Sequence, residues 1–200
     1  YFTFGNEIAA PGCVAANLKL WLKADDPDAS DSNWNDLSGN GFDAAAFNGT
    51  ELTDNLLNFN PAYVFNGNND YIEGNQDIGM GGATNYSVFL GLSVEGNEND
   101  DDVFAIAADQ GASSNVSFVL EWNSGGQRID SRDPAGGRSA PMIIQQPHAI
   151  SYIIDGTDAI GYTDGVVGTT QSAGALPNSN KSWTLGDIVS CLKAIKGTKK

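Results

Sequence analysis

The clearest alternation of apolar and polar residues lies near the C-terminal end of the chain, in the segment ISYIIDGTDAIGYTDGVVGTT. Ile150, Tyr152 and Ile154 occupy every second position there, which is the period of a half-buried β-strand. Each Asp-Gly dipeptide that follows suits the positive φ angles of a tight hairpin turn. The pattern predicts strands at 150–154, 159–163 and 166–167, joined by turns at 155–156 and 164–165.

Short apolar runs recur along the rest of the chain, separated by turns rich in glycine, asparagine and aspartate. Residues 14–24 alternate leucines with Lys19, Trp21 and Lys23, which predicts a half-buried strand, whereas 25–41 is polar and turn-rich, which predicts a loop. Further strands are predicted at 63–65, 71–72, 86–94, 103–107, 116–122, 127–129 and 183–185. Helical periodicity is nearly absent, so the sequence predicts an all-β fold, a two-sheet antiparallel β-sandwich.

Composition and charge narrow the class of protein. The 200 residues suffice for one large sandwich, and the 24 glycines suit a fold with many turns. Only 10 residues are Lys or Arg against 25 Asp or Glu, giving a net charge of -15. This balance excludes a broad nucleic-acid interface and disfavours an anionic membrane surface. It suits a secreted domain, a cation-binding domain or one from a salty habitat.

The chain carries no segment that would insert into a bilayer, because it has no run of 18 apolar residues. It opens at Tyr1 without methionine, a basic region or an apolar signal core. We therefore expect a mature or excised fragment of a secreted or cell-surface protein, with no membrane insertion.

Four segments resemble, in the same order, the laminin-G-like jelly-roll domains of the concanavalin A-like lectin/glucanase superfamily, as found in large secreted surface proteins of Bacteroidetes-type bacteria. They are WNDLSGNGFDA at 34–44, YVFNGNNDYIE at 63–73, YSVFLGLSV at 86–94 and HAISYIIDGTDAIGYTDGVVGTT at 148–170. The opening at 11–26 is also similar to the start of such domains. The likeness covers about 11–186 and implies one laminin-G-like jelly-roll domain over 1–200, with a basic C-terminal tail at 187–200.

The two ends of the chain depart from the family pattern. Cys13 stands where the family usually has a second glycine, and the acidic, apolar closing strand is replaced by DIVSCLKAIKGTKK. For the last dozen residues a final strand, a short helix and a frayed end all stay open, the frayed end being the default. Because the first and last strands of a jelly roll often pair, Cys13 and Cys191 are open to a disulfide or to two unpaired thiols.

The sequence does not supply the residues that hydrolysis of a glycan would need. A glucanase on this scaffold places paired carboxylates on one strand, in the pattern E-x-D-x-x-E. The acidic run at 95–102 is interrupted by Gly and Asn and is predicted to be a loop, and Glu121 stands alone. His148 is the only histidine and is expected to be structural. The prediction is a protein that is not an enzyme.

The acidic loops make Ca²⁺ the expected cofactor. Calcium takes six to eight oxygen ligands from carboxylates, amides and carbonyls on flexible loops. The predicted ligands are Asp36 and Asn40 of the D-x-S-G-N-G segment and Asp70 of N-N-D-Y, with the 25–31 loop as a further source. The alternative is that these side chains form Asx-turns that hold their own loops.

Sugar binding needs aromatic faces with polar groups beside them, and two tryptophans fit that description. Trp34 and Trp122 lie at loop or strand ends next to asparagines, whereas Trp21 and Trp183 lie within strand patterns and are expected in the core. Packing against the sandwich core is the alternative for Trp34 and Trp122 as well.

The segment RIDSRDPAGGR brings together three of the few basic residues, Arg128, Arg132 and Arg138. The planar guanidinium fork of Arg128 or Arg132 suits carboxylated or sulfated glycans. Local ion pairs with Asp130 and Asp133 are the slightly favoured alternative.

These features together predict a non-catalytic carbohydrate-binding or adhesion module of a larger protein. Its expected partners are a glycan or cell-surface polysaccharide and the neighbouring domains of the same chain, with no nucleic acid. A structural spacer or protein-docking domain without a sugar site is the alternative, and a divergent glycoside hydrolase is the third hypothesis.

Overall fold

A computed structural model describes residues 10, 14–67, 69–96, 101–107, 116–132, 137–176 and 182–186. Within these ranges the chain forms β-strands and no helix. The strands are β1 Ala44–Asn48, β2 Glu51–Leu57, β3 Asn60–Val64, β4 Tyr71–Gly74, β5 Asn85–Leu92, β6 Asp101–Ala107, β7 Val116–Asn123, β8 Arg128–Arg132, β9 His148–Asp155, β10 Asp158–Thr163, β11 Val166–Val167, β12 Gln171–Ser172 and β13 Ser182–Gly186.

The strands build two antiparallel sheets that pack face to face. The larger sheet has six strands in the order β1-β4-β13-β6-β7-β8. The smaller sheet has the order β11-β10-β9-β5, with β12 also paired to β10, and β2 and β3 form a separate hairpin. The predicted all-β antiparallel sandwich is therefore confirmed.

The two predicted turns near the C-terminal end both form. Between β9 and β10, the paired Asp155 and Asp158 enclose Gly156, at φ 59°, and Thr157, so the turn lies one residue later than predicted. Between β10 and β11, Asp164 and Gly165 have φ angles of 50° and 79°, as a type I′ turn requires.

The core lies between the two sheets and draws on alternate residues of each. The larger sheet contributes Ile72, Phe104, Ile106, Phe118, Leu120, Trp122, Ile129 and Trp183, and the smaller sheet contributes Tyr86, Ile150, Tyr152, Ile154 and Ala159. The rings of Tyr86 and Phe118 meet edge to face across the interface, at a centroid distance of 5.6 Å. Trp183 is fully buried and its Nε1 donates to the carbonyl of Phe42 at 3.0 Å, so its predicted core position is confirmed.

The strand predicted at 14–24 does not form, and that prediction was wrong. Leu22 makes only an isolated bridge to Asp36, and Asn17 has a left-handed φ of 62°. The backbone of Trp21 bonds to the following loop instead, donating to Asp36 Oδ1 at 3.0 Å and accepting from Leu37 N at 2.8 Å. The leucines are half-buried against the core, but loop contacts replace a neighbouring strand.

The C-terminal part of the chain enters the centre of the larger sheet. Strand β13 pairs with β4 on one side and with β6 on the other, which confirms the strand predicted at 183–185. Cys13, Cys191 and the tail at 187–200 lie outside the described residues.

In the described part of the chain, no helix is long and apolar enough to cross a membrane.

Candidate functional site

A row of polar residues crosses the outer face of the larger sheet, on the side away from the core. The strand register pairs Asp102 of β6 with Glu121 of β7, and Glu121 with Asp130 of β8. Isolated bridges extend the row from Asp130 to Arg138 and from Arg138 to Thr169. We call these five residues the polar row. Directly opposed residues of antiparallel strands lie about 4.5–5.5 Å apart, so the row brings the five together although they are distant in sequence.

An arginine fork is fixed at the β8 edge of this face. Arg128 Nε donates to Asp130 Oδ1 at 2.7 Å and its Nη2 donates to Asp130 Oδ2 at 3.1 Å, which is a bidentate ion pair. The two side chains are 19% and 12% exposed, so the pair is shielded but still open to solvent. Gly126 makes room for the fork, because a Cβ at that residue would lie 1.6 Å from Arg128 Nη1.

The segment 137–142, which we call the strap, places Arg138 beside Asp130. Two backbone hydrogen bonds join the strap to β8. Ser131 N of β8 donates to the carbonyl of Gly137 at 2.7 Å, and Ser139 N of the strap donates to the carbonyl of Ile129 at 2.9 Å. On its other side, Thr169 N donates to the carbonyl of Arg138 at 3.0 Å. The strap therefore joins the edge of the larger sheet to the chain that follows β11.

Close contacts from the smaller sheet hold the strap in position. The hydroxyl of Tyr152 lies 3.4 Å from the carbonyl of Gly137, and Thr163 Oγ1 donates to the carbonyl of Ala140 at 2.6 Å. Burial raises the pKa of Tyr152, so the phenol stays protonated as a donor, and it also bonds to the carbonyl of Ile129 in β8. Gly168 packs against the strap so closely that a Cβ there would lie 2.0 Å from the carbonyl oxygen of Arg138. A Cβ on Gly161 would likewise lie 2.8 Å from the strap backbone.

The polar row combines acceptors and donors on one face. Carboxylates accept hydrogen bonds, a guanidinium donates up to five in a fixed plane, and a threonine hydroxyl does both. Asp102 and Asp130 are 3% and 8% exposed, whereas Arg138 and Thr169 are exposed. A ligand that carries several hydroxyl groups would therefore meet the row mainly at Arg138 and Thr169. Because the row holds three carboxylates and only the guanidinium of Arg138, with that of Arg128 beside it, the face does not favour an anionic ligand.

The four predicted ligand-binding residues lie in different environments, which are described one by one. Arg128 lies on this face, but its fork binds Asp130, which is the alternative that the sequence slightly favoured. Arg132 ends β8, and its side chain lies outside the described residues, as does Asp133. Trp34 packs with Tyr63 at a ring distance of 4.3 Å, so one face of its indole is covered.

Trp122 does not offer a stacking surface, and its prediction as a ligand contact is corrected here. It is 2% exposed and lies on the inner face of β7 with Phe118 and Leu120. A ring inside the core has no face open to a ligand. The alternative interpretation, packing against the sandwich core, is the one its burial supports.

Asp36, the first predicted calcium ligand, does not fit a metal. Its Oδ1 accepts from the backbone N–H groups of Trp21 and Ser38 at 3.0 and 2.9 Å. Its Oδ2 accepts from Ser38 Oγ at 2.7 Å and from Phe42 N at 3.1 Å. Four donors occupy the approximately four lone-pair positions of the carboxylate, which leaves none for a cation. Asp36 holds its loop, as the Asx-turn alternative proposed.

The other two predicted calcium ligands also hold turns. Asn40 Nδ2 donates to the carbonyls of Leu18 and Lys19 at 2.9 and 3.0 Å. Asp70 Oδ2 accepts from Asn66 N at 2.9 Å within its own turn. Among the described residues, no group of three His, Cys, Asp or Glu side chains could hold a metal ion. The predicted ligand set thus does not form a calcium site, and calcium binding elsewhere in the chain stays a prediction.

His148 has a structural environment. Its Nδ1 lies 2.6 Å from Asp164 Oδ2, and its Nε2 lies 2.9 Å from the carbonyl of Ile143. Bonds from Ala149 N and from His148 lower the pKa of Asp164, so this carboxylate is ionised at neutral pH. Both ring nitrogens thus face groups that fix the β10–β11 turn and the segment before β9.

Sequence reasoning missed the polar row because its members come from separate strands. In the sequence Glu121 stands alone, and Asp102 closes an acidic run that is predicted to be a loop. A usable signal was present, since Glu121 and Asp130 each lie at an outward position beside apolar inward neighbours. Their pairing, however, depends on the register of β7 and β8.

Neither models of protein families nor the sequences of curated proteins match this chain. Solved structures do resemble it. Domain 4 of AbnA, an extracellular GH43 arabinanase from Geobacillus stearothermophilus determined with arabinotriose, has a TM-score of 0.56 and 17% identity over 76% of both chains. The carbohydrate-binding module CBM66 from Bacillus subtilis has a TM-score of 0.41 and 9% identity, covering 71% of this chain and 87% of that one. The likeness to the arabinanase domain shows the shared sandwich fold.

Proposed function

We propose that this domain is a non-catalytic carbohydrate-binding module that binds a neutral glycan along the polar row. The observation that carries the proposal is the fixed Arg128–Asp130 fork in a row with Glu121, Asp102 and Arg138. A sugar hydroxyl both donates and accepts, so a face that carries both donors and acceptors matches it.

The geometry also selects among glycans. The sequence suggested that free guanidinium forks would bind carboxylated or sulfated sugars. Asp130 occupies the fork of Arg128, and Glu121 and Asp102 lie beside it, so a negative ligand would meet carboxylates on this face. A neutral glycan avoids that repulsion and can still accept from the outer edge of the guanidinium.

The setting we propose is a secreted or cell-surface protein that uses the domain for adhesion. The net charge of -15 favours solubility and resists unspecific attachment to anionic polymers. The structural likeness to one domain of an extracellular arabinanase, which was determined with arabinotriose, supports a glycan ligand. One shallow site binds weakly, and repeated copies in a longer chain would supply avidity.

A glycan array probed with the isolated domain, in calcium and in chelator, tests the proposal. We expect binding to neutral glycans of equal strength in both, because the polar row needs no metal. Binding only in calcium would move the site to acidic loops, and an array that stays blank at high protein concentration would favour a spacer or protein-docking domain. Release of reducing ends from a bound glycan would identify a hydrolase that uses the three carboxylates.

Two adjacent glycines offer a matched pair of variants for the Arg128 fork. Gly126→Ala places a Cβ on the guanidinium and is expected to displace it, weakening glycan binding about tenfold with little change in melting temperature. Gly125→Ala is the control, since its Cβ meets Asn123 Oδ1 at an ordinary 3.6 Å. Titration calorimetry with a glycan identified on the array measures the affinity of each variant. Equal affinity of the two variants would contradict a role for the fork.

A further inference from the structure

The outer face of the smaller sheet carries exposed apolar side chains that the proposed function does not use. Phe89 of β5 is 70% exposed. The register places Phe89 beside Ser151, Ser151 beside Tyr162 and Tyr162 beside Val167. A parallel row runs through Ser87, Ile153 and Ile160. We call these seven residues the outer platform.

Packing of the core does not account for the outer platform. The inward positions of the same strands, Tyr86, Ile150, Tyr152 and Ile154, already supply the core. An antiparallel sheet with one solvated face usually has polar residues on that face. Here β5 and β9 place Phe89 and Ile153 on the solvated side, and exposed apolar patches of this kind mark binding surfaces.

The residues of the outer platform are regularly spaced. Strands β5 and β9 pair without interruption from Asn85 with Asp155 to Leu92 with His148. Phe89 and Tyr162 are separated by two strand spacings, about 10 Å, with the Ser151 hydroxyl between them. Two rings that flank a hydroxyl on one face match an extended chain of sugars, whose apolar ring faces and hydroxyl edges alternate in the same way.

The charge around the outer platform decides which occupant fits. Strands β5, β9, β10 and β11 contain no Lys or Arg. Asp155 and Asp158 lie opposite each other at one end, and the exposed Asp164 lies at the other. A polyanion, or a second copy of this chain with its charge of -15, would be repelled. An uncharged ligand would not.

We propose that the outer platform is a second binding site, for an uncharged β-linked polysaccharide whose sugar rings lie flat on Phe89 and Tyr162. Ser87 and Ser151 bond to the hydroxyls at the edges of the sugars. This inference does not depend on the polar row, which lies on the opposite sheet.

Co-sedimentation with microcrystalline cellulose and with crystalline chitin tests the second site. We expect the wild-type domain to pellet with at least one of these polymers, and the double variant Phe89→Ser/Tyr162→Ser to lose about tenfold or more in affinity. Tyr162→Phe keeps the ring and should pellet like the wild type. Thermal melting confirms that each variant is folded.

Two further variants separate this site from its alternatives. Phe59→Ser removes a 90% exposed phenylalanine from the tip of the β2–β3 hairpin and should leave pelleting unchanged. Gly126→Ala should also pellet normally, which keeps the test independent of the polar row. The inference is overturned if the wild type pellets with neither polymer or if the double variant pellets equally well. Sedimentation velocity that shows self-association lost in the double variant would instead assign the platform to a second copy.

Discussion

Replacing Gly168 with alanine is expected to destabilise the domain by about 3 kcal/mol, near the upper end for an overpacked site. The new Cβ would lie 2.0 Å from the carbonyl oxygen of Arg138 and 2.4 Å from the carbonyl carbon of Ser139. Both contacts are backbone atoms of the strap, so no side chain can rotate away. The strap would have to separate from β8, and Arg138 would move away from its position beside Asp130.

Denaturant or thermal unfolding measures the effect of Gly168→Ala. For a domain of this size, about 3 kcal/mol corresponds to a melting temperature lowered by roughly 6–12 °C. Gly91→Ala is the matched control, because its Cβ would meet only Leu57 Cδ2 at an ordinary 3.6 Å. If Gly168→Ala had the same melting temperature as the Gly91→Ala control, the strap would not pack as described.

Asp36→Asn is expected to cost about 3 kcal/mol of stability, with or without calcium. An amide in place of one carboxylate oxygen turns two accepting contacts into donor-against-donor contacts. On one oxygen these partners are Trp21 N and Ser38 N, and on the other they are Ser38 Oγ and Phe42 N. Hydrogen bonds to a charged group contribute about 1.5–3 kcal/mol each.

Calorimetric melting in calcium and in chelator separates the two roles that the sequence left open for Asp36. A structural carboxylate gives the same loss in both solutions. A loss seen only in calcium would restore Asp36 as a metal ligand. Asp54→Asn, at an exposed position of β2, is the control and should stay within about 0.5 kcal/mol of the wild type.

Local patterns predicted the parts of the fold that are locally determined. The alternation of Ile150, Tyr152 and Ile154 and the two Asp-Gly dipeptides fix β9, β10 and β11 without help from the rest of the chain. Strands β5, β6, β7 and β8 followed from short apolar runs in the same way. The all-β sandwich fold was therefore predictable from the sequence.

Elements that lack a clear alternation, or whose hydrogen bonds go to partners outside the element, were not predictable from the sequence. Residues 14–24 have the period of a strand, but the carboxylate of Asp36 and the backbone of Leu37 take their hydrogen bonds. Strands β1 and β2 were not predicted, because AAAFN and ELTDNLL lack a clear alternation. Their pairing with β4 and β3 forms them.

In the candidate site, too, some features follow from the local sequence and others depend on how the strands pair. The inward position of Trp122 follows from its spacing to Phe118 and Leu120, and strict use of that period would have placed it in the core. The polar row could not be predicted, because it joins Asp102, Glu121, Asp130 and Arg138 through register alone. Loop aspartates accept backbone hydrogen bonds as readily as they bind metals, so the sequence alone does not distinguish these two roles for Asp36. Calcium binding by the chain stays a prediction.

A titration of the ¹⁵N-labelled domain with a neutral oligosaccharide from the array, followed by NMR, tests the central claim most directly. Binding along the polar row predicts that the amide signals of Glu121, Asn123, Arg128, Asp130 and Arg138 shift first and saturate together. Shifts confined to the loops around Trp34 and Asp36, with β7 and β8 unchanged, would contradict it.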